Sequence, residues 1–330
     1  MNIEKYKIES PILLILFNRP DQTEELLKSI KLVQPKNLFI SIDGPRNNDD
    51  QEKINEILNL INQYIDYDCN LKINNLNENL GCGLGPRAAI SWFFENVDSG
   101  IILEDDCIPS ESFFSFCDEL LEKYKKDQRI WMISGDNGGP ILKSNYFDDF
   151  DYTFSNLPLI WGWATWKDRW EKYDDNLNNW KKGTIFNLKY LTHVSIFEKF
   201  IVGRICKNSS KSKEKNFWDF QMYSSMLKHN SFTVVPRLNL ISNIGWGDIA
   251  THTKDENFRS YSPVESYKEL NHNPNIEVNK KINSIITYSI HTNTQKSIID
   301  KDKINLIRLF YLLNRIQYYF SYILNILIKK

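Results

Sequence analysis

The sequence has no Cys-x-x-Cys pair, and its five cysteines, Cys69, Cys82, Cys107, Cys117 and Cys206, are odd in number. Neither a disulfide framework nor a zinc ribbon is indicated, and reduced thiols in the cytosol are the expectation. No Gly-x-x-x-x-Gly-Lys-[Ser/Thr] occurs, which excludes a P-loop. The stretch Gly81-Cys-Gly-Leu-Gly85 is not Gly-x-Gly-x-x-Gly, and it does not follow the first predicted strand. A dinucleotide-binding fold is therefore poorly supported. A basic excess is also missing: the formal net charge is −1, which argues against a general nucleic-acid binder. The opening MNIEKYKIES lacks the apolar core of a signal peptide. No internal repeat is visible.

What remains is an ordinary globular balance over 330 residues, 42% hydrophobic and 25% charged. That is enough for one large or two modest domains with a sizeable core. Aromatic residues reach 13%, with nine Trp and sixteen Tyr. Two readings stand side by side. One is a Trp-rich core. The other is a sugar-binding surface, since aromatic faces pack on the C–H faces of pyranose rings.

Along the chain, continuous apolar runs alternate with helical periodicity. Pro11–Phe17 reads as a buried strand, broken by Asn18-Arg19-Pro20-Asp21. A helix is predicted over Gln22–Lys31, a strand over Leu38–Ile42, and a helix over residues 51–65. A weak strand follows at Leu71–Ile73. The Gly81–Gly85 segment reads as a turn leading into a helix over Arg87–Glu95. Ile101–Leu103 is a short buried strand running into Glu104-Asp105-Asp106. Ser110 is the expected cap of a helix over residues 111–126, and Ile130–Ser134 is a further strand. Beyond it lie the Trp-rich run Ile160–Trp166, a helix opened by Phe217–Gln221, a strand at Phe232–Val235, and a polar, basic loop over Arg204–Lys215. This alternation predicts an α/β fold with a mostly parallel sheet covered by helices, and ligands at the carboxyl ends of its strands. The segment Ile304–Ile328 is apolar but interrupted by polar residues and ends in Lys329-Lys330. It fits an interfacial helix at a membrane surface, or else a terminal helix packed on protein.

The triplet Glu104-Asp105-Asp106 is the sharpest chemical feature. Three adjacent carboxylates repel one another, and a hard divalent cation such as Mg²⁺ or Mn²⁺ resolves the conflict. Such an ion can bridge two phosphates as a Lewis acid. The alternative is a solvated acidic turn. Asp43, in Ser41-Ile-Asp-Gly-Pro45, is either an acceptor for a nucleobase imide or ordinary Asp-Gly turn chemistry. Arg87 either faces a phosphate or is a surface arginine. Asp219, between Trp218 and Phe220, is either a desolvated general base or a first-turn helix acid. His252 is either a metal or diphosphate ligand or an ordinary loop histidine.

Taken together these segments resemble the GT-A glycosyltransferases, especially the N-acetylglucosaminyltransferase I type and its bacterial family-2-like relatives. The resemblance runs over roughly residues 11–255. It is carried by Pro11–Pro20, Ser41–Gly44, the Arg87 helix with Ile102–Asp106 and Pro109–Phe114, Trp161-Gly-Trp163 with Phe217–Asp219, and Val235 through Asn243–Gly245 to Thr251–Thr253. It implies a GT-A domain over 1–255, with a nucleotide-binding half 1–135 and an acceptor half 136–255. A C-terminal extension over 256–330 would hold the amphipathic helix 302–328. It implies a donor site of Arg19, Asp43, Arg87, Glu104, Asp105, Gly245 and Trp246. Asp106 and His252 would ligate Mn²⁺ or Mg²⁺, and Asp219 would deprotonate the acceptor in an inverting transfer. Trp161, Trp163 and Trp218 would border a sugar. The implied partners are a UDP-sugar and a surface-glycan or glycolipid acceptor of the lipopolysaccharide or capsule kind. The implied location is the cytoplasmic side of the inner membrane. A nucleotidyltransferase and a non-catalytic sugar-binding module are the rival readings.

Overall fold

The computed structural model describes residues 7–138, 146–147, 149–175, 218–245, 267 and 269–292. The chain divides into two compact units, Met1–Thr287 and Tyr288–Lys330. Of the second unit only residues 288–292 are described, so the predicted helix 302–328 lies outside the described residues.

The first four strands follow the predicted alternation. β1 (Ile12–Leu16) leads to α1 (Pro20–Val33), β2 (Asn37–Ile42), α2 (Asn48–Tyr64), β3 (Asn70–Asn75), α3 (Gly81–Asn96) and β4 (Ser99–Glu104). Then come β5 (Cys107–Pro109), α4 (Glu111–Tyr124), β6 (Ile130–Ser134), β7 (Tyr152–Ser155), β8 (Trp163–Trp166) and the short α5 (Lys167–Trp170). After the undescribed stretch, α6 (Asp219–Lys228), β9 (Phe232–Pro236), β10 (Ile241–Asn243) and α7 (Lys280–Thr292) complete the order.

Eight strands form one sheet in the order β3-β2-β1-β4-β8-β6-β9-β7. β3, β2, β1 and β4 are parallel. β8 runs antiparallel between β4 and β6, β9 is parallel to β6, and β7 is antiparallel to β9. The sheet is mostly parallel and flanked by helices, as expected. β8 comes from beyond residue 135 yet lies between β4 and β6, so strands from either side of that position interleave.

Alternation along β1 explains why the sheet is covered twice. Ile12, Leu14 and Leu16 join a core with Leu26 and Ile30 of α1, Ile57 of α2 and Phe113 of α4. Leu13, pointing the other way, joins Ile90 and Phe93 of α3 and Met222 of α6. A strand buried on both faces has to be apolar throughout, which is why the run reads as continuous. Ser110 caps α4 as predicted, its side chain accepting from Phe113 N. A smaller core joins Ile282 and Ile286 of α7 to Phe147, Leu157 and Val235. Part of the C-terminal extension thus packs against the strands. Among the described residues no helix is long and apolar enough to cross a membrane.

One local expectation fails. The predicted turn Gly81–Gly85 is the first turn of α3, which contains Pro86. Glycine and proline are poor helix formers, so this turn depends on a cap from elsewhere in the chain.

Candidate functional site

The carboxyl ends of β1, β2 and β4 lie together because these strands are adjacent and parallel. A cavity of about 620 Å³ opens there, lined among others by Phe17, Arg19, Asp43, Glu104, Asp106 and Asp219. That volume is within the usual range for a small-molecule site. The carboxyl edge of a parallel sheet is also where such folds bind ligands.

Glu104 ends β4, and Asp105 and Asp106 form the turn into β5. β5 pairs antiparallel with β10, placing Asn243 opposite Cys107. This ribbon fixes Asp106: Ile244 N donates to its carbonyl at 2.9 Å. Asn243 Nδ2 donates to its Oδ1 at 3.1 Å. Gly245 passes so close that a Cβ there would collide with Asp106 Oδ2. On the cavity side, Arg19 Nη1 donates to Asp105 Oδ1 and to Asp106 Oδ2, both at 3.1 Å.

Burial, then the Asp106 and Asp105 charges, push the Glu104 carboxyl above the ordinary range. Burial and Asp106 push Asp105 up as well, against the pull of Arg19. One guanidinium therefore does not balance the acidic group. Among the described residues no three His, Cys, Asp or Glu side chains form a ready-made metal cage. The donors present nevertheless suit a hard divalent ion. Mg²⁺-type sites commonly use one or two carboxylates and take their remaining oxygens from phosphates and water, and Asp105 and Asp106 converge on a single cation here.

Asp219 is the first residue of α6 and lines the same cavity. Its charge adds to the upward pressure on Glu104, and Phe220 N donates to its Oδ1 at 2.9 Å. An aromatic block sets its position. Trp218 stacks on Trp163 with ring centroids 5.7 Å apart. Tyr173, itself stacked on Trp170, donates from its hydroxyl to the Trp218 carbonyl at 3.1 Å.

Several expected roles change. Trp163 is 0% exposed and lies in the core, so it supports Trp218 instead of bordering a sugar. Trp218 reaches the cavity wall but is only 4% exposed, while Trp161 also lines the cavity. Arg87 does not line it: its guanidinium pairs with Asp175. Asp43 does line it, but four donors engage its carboxylate. Gly44 N and Leu80 N reach Oδ1 at 2.9 and 2.8 Å. Gly81 N and Asn79 Nδ2 reach Oδ2 at 2.9 and 3.1 Å. A carboxylate has about four lone-pair sites, so these bonds fill it, and Asp43 is the missing cap of α3. Gly245 lines the cavity, whereas Trp246 and His252 lie outside the described residues.

Among the lining residues that were not anticipated are Arg46 and Phe17. Arg46 lies over the Phe17 ring, 4.9 Å from its centroid. It also grips the buried Asp50 through Nε and Nη2 at 2.7 and 3.0 Å. The only sequence signal was the helix-start pattern Asn47-x-x-Asp50, where Asn47 Oδ1 accepts from Asp50 N at 2.9 Å.

No family model matches the chain, and no curated protein matches it by sequence. Solved structures do. A glucosyl-3-phosphoglycerate synthase from Mycobacterium tuberculosis, in complex with Mg²⁺ and UDP, is 14% identical at a TM-score of 0.28, covering 48% of this chain and 57% of that one. This chain thus spans little more than half of the synthase. An apo UDP-glucose pyrophosphorylase is 9% identical at 0.33, covering 69% and 89%. Mouse xyloside xylosyltransferase 1 is 9% identical at 0.31, covering 66% and 81%. Likenesses this distant assign no chemistry to the chain, and any such assignment rests on the cavity itself.

Proposed function

We infer that this protein is a GT-A-type glycosyltransferase that moves a sugar from a nucleoside diphosphate, UDP in the first instance, to a hydroxyl acceptor. The observation that carries the reading is the meeting of Glu104-Asp105-Asp106, Arg19 and Asp219 around one cavity at the carboxyl ends of parallel strands. Residues 1–135 are assigned to the donor and 136–255 to the acceptor. Residues 302–328 are assigned to peripheral contact with the inner membrane, where a surface glycan or glycolipid would be the acceptor.

Asp219 accepts the proton of the acceptor hydroxyl. The oxygen attacks the anomeric carbon as its bond to the diphosphate breaks, which inverts the configuration. Trp218, held by Tyr173 and Trp163, keeps the Asp219 carboxylate at the cavity wall. Trp161 offers an aromatic face to the sugar, and Glu104 and Asp105 face the nucleoside and ribose. Asp106, with His252 as a further ligand, would hold a divalent ion, which would supply Lewis-acid stabilisation of the departing diphosphate. Arg46 over Phe17 forms part of the cavity wall, and Asp43 shapes that wall through α3.

The test is release of free UDP from common UDP-sugars with Mn²⁺. Wild-type protein should release it, and Asp219→Asn should slow release by about 10²- to 10⁴-fold with donor binding retained. Release of pyrophosphate from UTP and a sugar 1-phosphate, with no UDP from UDP-sugars, would indicate a nucleotidyltransferase, and activity in neither assay would overturn both readings.

A further inference from the structure

Asp105 and Asp106 already share a cation. Arg19 Nη1 stands 3.1 Å from an oxygen of each, and the three side chains are only 14%, 10% and 16% exposed. A guanidinium bound to a single carboxylate prefers a fork of two nitrogens. One nitrogen placed between two carboxylates is instead a charge-neutralising bridge, at a position where a metal ion would do the same job.

The backbone carrying Arg19 is fixed on both sides. Asn18 Nδ2 donates to the buried Asp50 at 2.5 Å. Pro20 opens α1, where its ring presets the backbone angle. The Arg19 carbonyl accepts from Thr23 N at 3.0 Å. Movement at this turn is thereby confined to the Arg19 side chain. Asp106 is held from the opposite side by Asn243 at Oδ1, so losing Arg19 from Oδ2 does not release it.

Resting on the reading of Asp106 as the metal ligand, we propose that Arg19 is a resident counter-ion that a divalent cation displaces from Asp106, freeing the guanidinium to bind the phosphates of the donor. Without metal, Arg19 offsets part of the repulsion between Asp105 and Asp106. Metal entry supplies two positive charges where Arg19 supplied one. The released guanidinium still lines the cavity and presents a planar fork that suits phosphate oxygens. The two events are linked reciprocally: metal favours phosphate binding, and bound phosphate favours metal.

The test titrates Mn²⁺ alone into wild type, Arg19→Gln and Arg19→Lys, with free Mn²⁺ read by electron paramagnetic resonance. UDP is then titrated by calorimetry at saturating Mn²⁺. Mn²⁺ alone should bind Arg19→Gln about tenfold more tightly than wild type, because the competing cation is gone. UDP should bind the same variant about tenfold more weakly, because a phosphate partner is gone. General damage to the fold would weaken both. Arg19→Lys keeps a charge on the same backbone, and it should retain the wild-type melting temperature with intermediate Mn²⁺ affinity. Mn²⁺ binding to Arg19→Gln no tighter than to wild type overturns the counter-ion role, and unchanged UDP affinity overturns the phosphate role. If wild type binds no Mn²⁺, alone or with UDP, the metal site itself is overturned, a result separable from the other two.

Discussion

Asp50 shows how one buried carboxylate can hold a site wall without touching a ligand. It is 1% exposed at the start of α2. It accepts from Arg46 N at 3.0 Å, from the Arg46 guanidinium, and from Asn18 Nδ2. Two cavity residues, Arg46 and Asn18 in the turn beside Arg19, are therefore anchored to it. The Arg46 guanidinium holds the Asp50 carboxyl well below the ordinary carboxylate range, against the opposing effect of burial. The sign of the linkage follows. A depressed folded-state pKa contributes stability above the unfolded value of about 3.9, lost as pH falls through the folded value. Asp50→Asn should cost about 1–2 kcal/mol at neutral pH, below a full charged hydrogen-bond network because Arg46 is half exposed and screened. The difference from wild type should shrink as pH falls below 4. Melting curves at pH 7 and at about pH 2, well below the unfolded value, check this, and a deficit that does not depend on pH would contradict the ionic account.

Among the elements, α3 is the one whose first turn the sequence argued against, although the helix over Arg87–Glu95 was expected. Its first turn holds Gly81, Gly83 and Gly85 and is followed by Pro86, and it forms because Asp43 of the β2 end accepts from Leu80 N and Gly81 N. Asp43→Ala should cost about 1–2 kcal/mol, the loss of a helix cap. Amide exchange at residues 80–83 should accelerate first, because the start of α3 opens before the sheet. Unchanged melting together with weakened UDP binding would restore Asp43 to direct contact with the base. This case also marks what could be read in advance. β1, β2, β4 and β6 were legible because strands buried on both faces must be continuously apolar. The acidic triplet was legible because like charges at the end of a strand need a partner. Illegible were the contacts made between distant segments. The β5–β10 ribbon brings Asn243 to Asp106, Asp175 claims Arg87, and Trp163 turns inward as a support for Trp218. Each pairing depends on three-dimensional register, and neither periodicity nor local spacing records it.

At the scale of the whole chain, the cavity and both faces of the sheet belong to the unit Met1–Thr287. α7 packs Ile282 and Ile286 against that unit's strands, and Ile286 is the last core residue among the described side chains. Everything the proposed chemistry needs among the described residues lies before the segment 302–328, whose apolar and basic composition suggested an interfacial helix. A lipid contact made by that segment would be separable from donor binding. Deleting residues 302–330 should leave Mn²⁺-dependent UDP binding unchanged within error. If the first unit folds independently of that segment, the melting temperature should shift by no more than about 2 °C, the change expected for less than about 1 kcal/mol. The same deletion should move the protein from the membrane pellet to the supernatant, and abolish sedimentation with vesicles containing anionic lipid. An amphipathic helix owes its membrane affinity to buried apolar area and to basic residues at the anionic surface. Full-length binding should therefore weaken when salt is raised past the range in which surface charges act. Loss of UDP binding on deletion would instead show that the tail completes the catalytic unit, and a full-length protein that never sediments with vesicles would remove the membrane from the proposed setting.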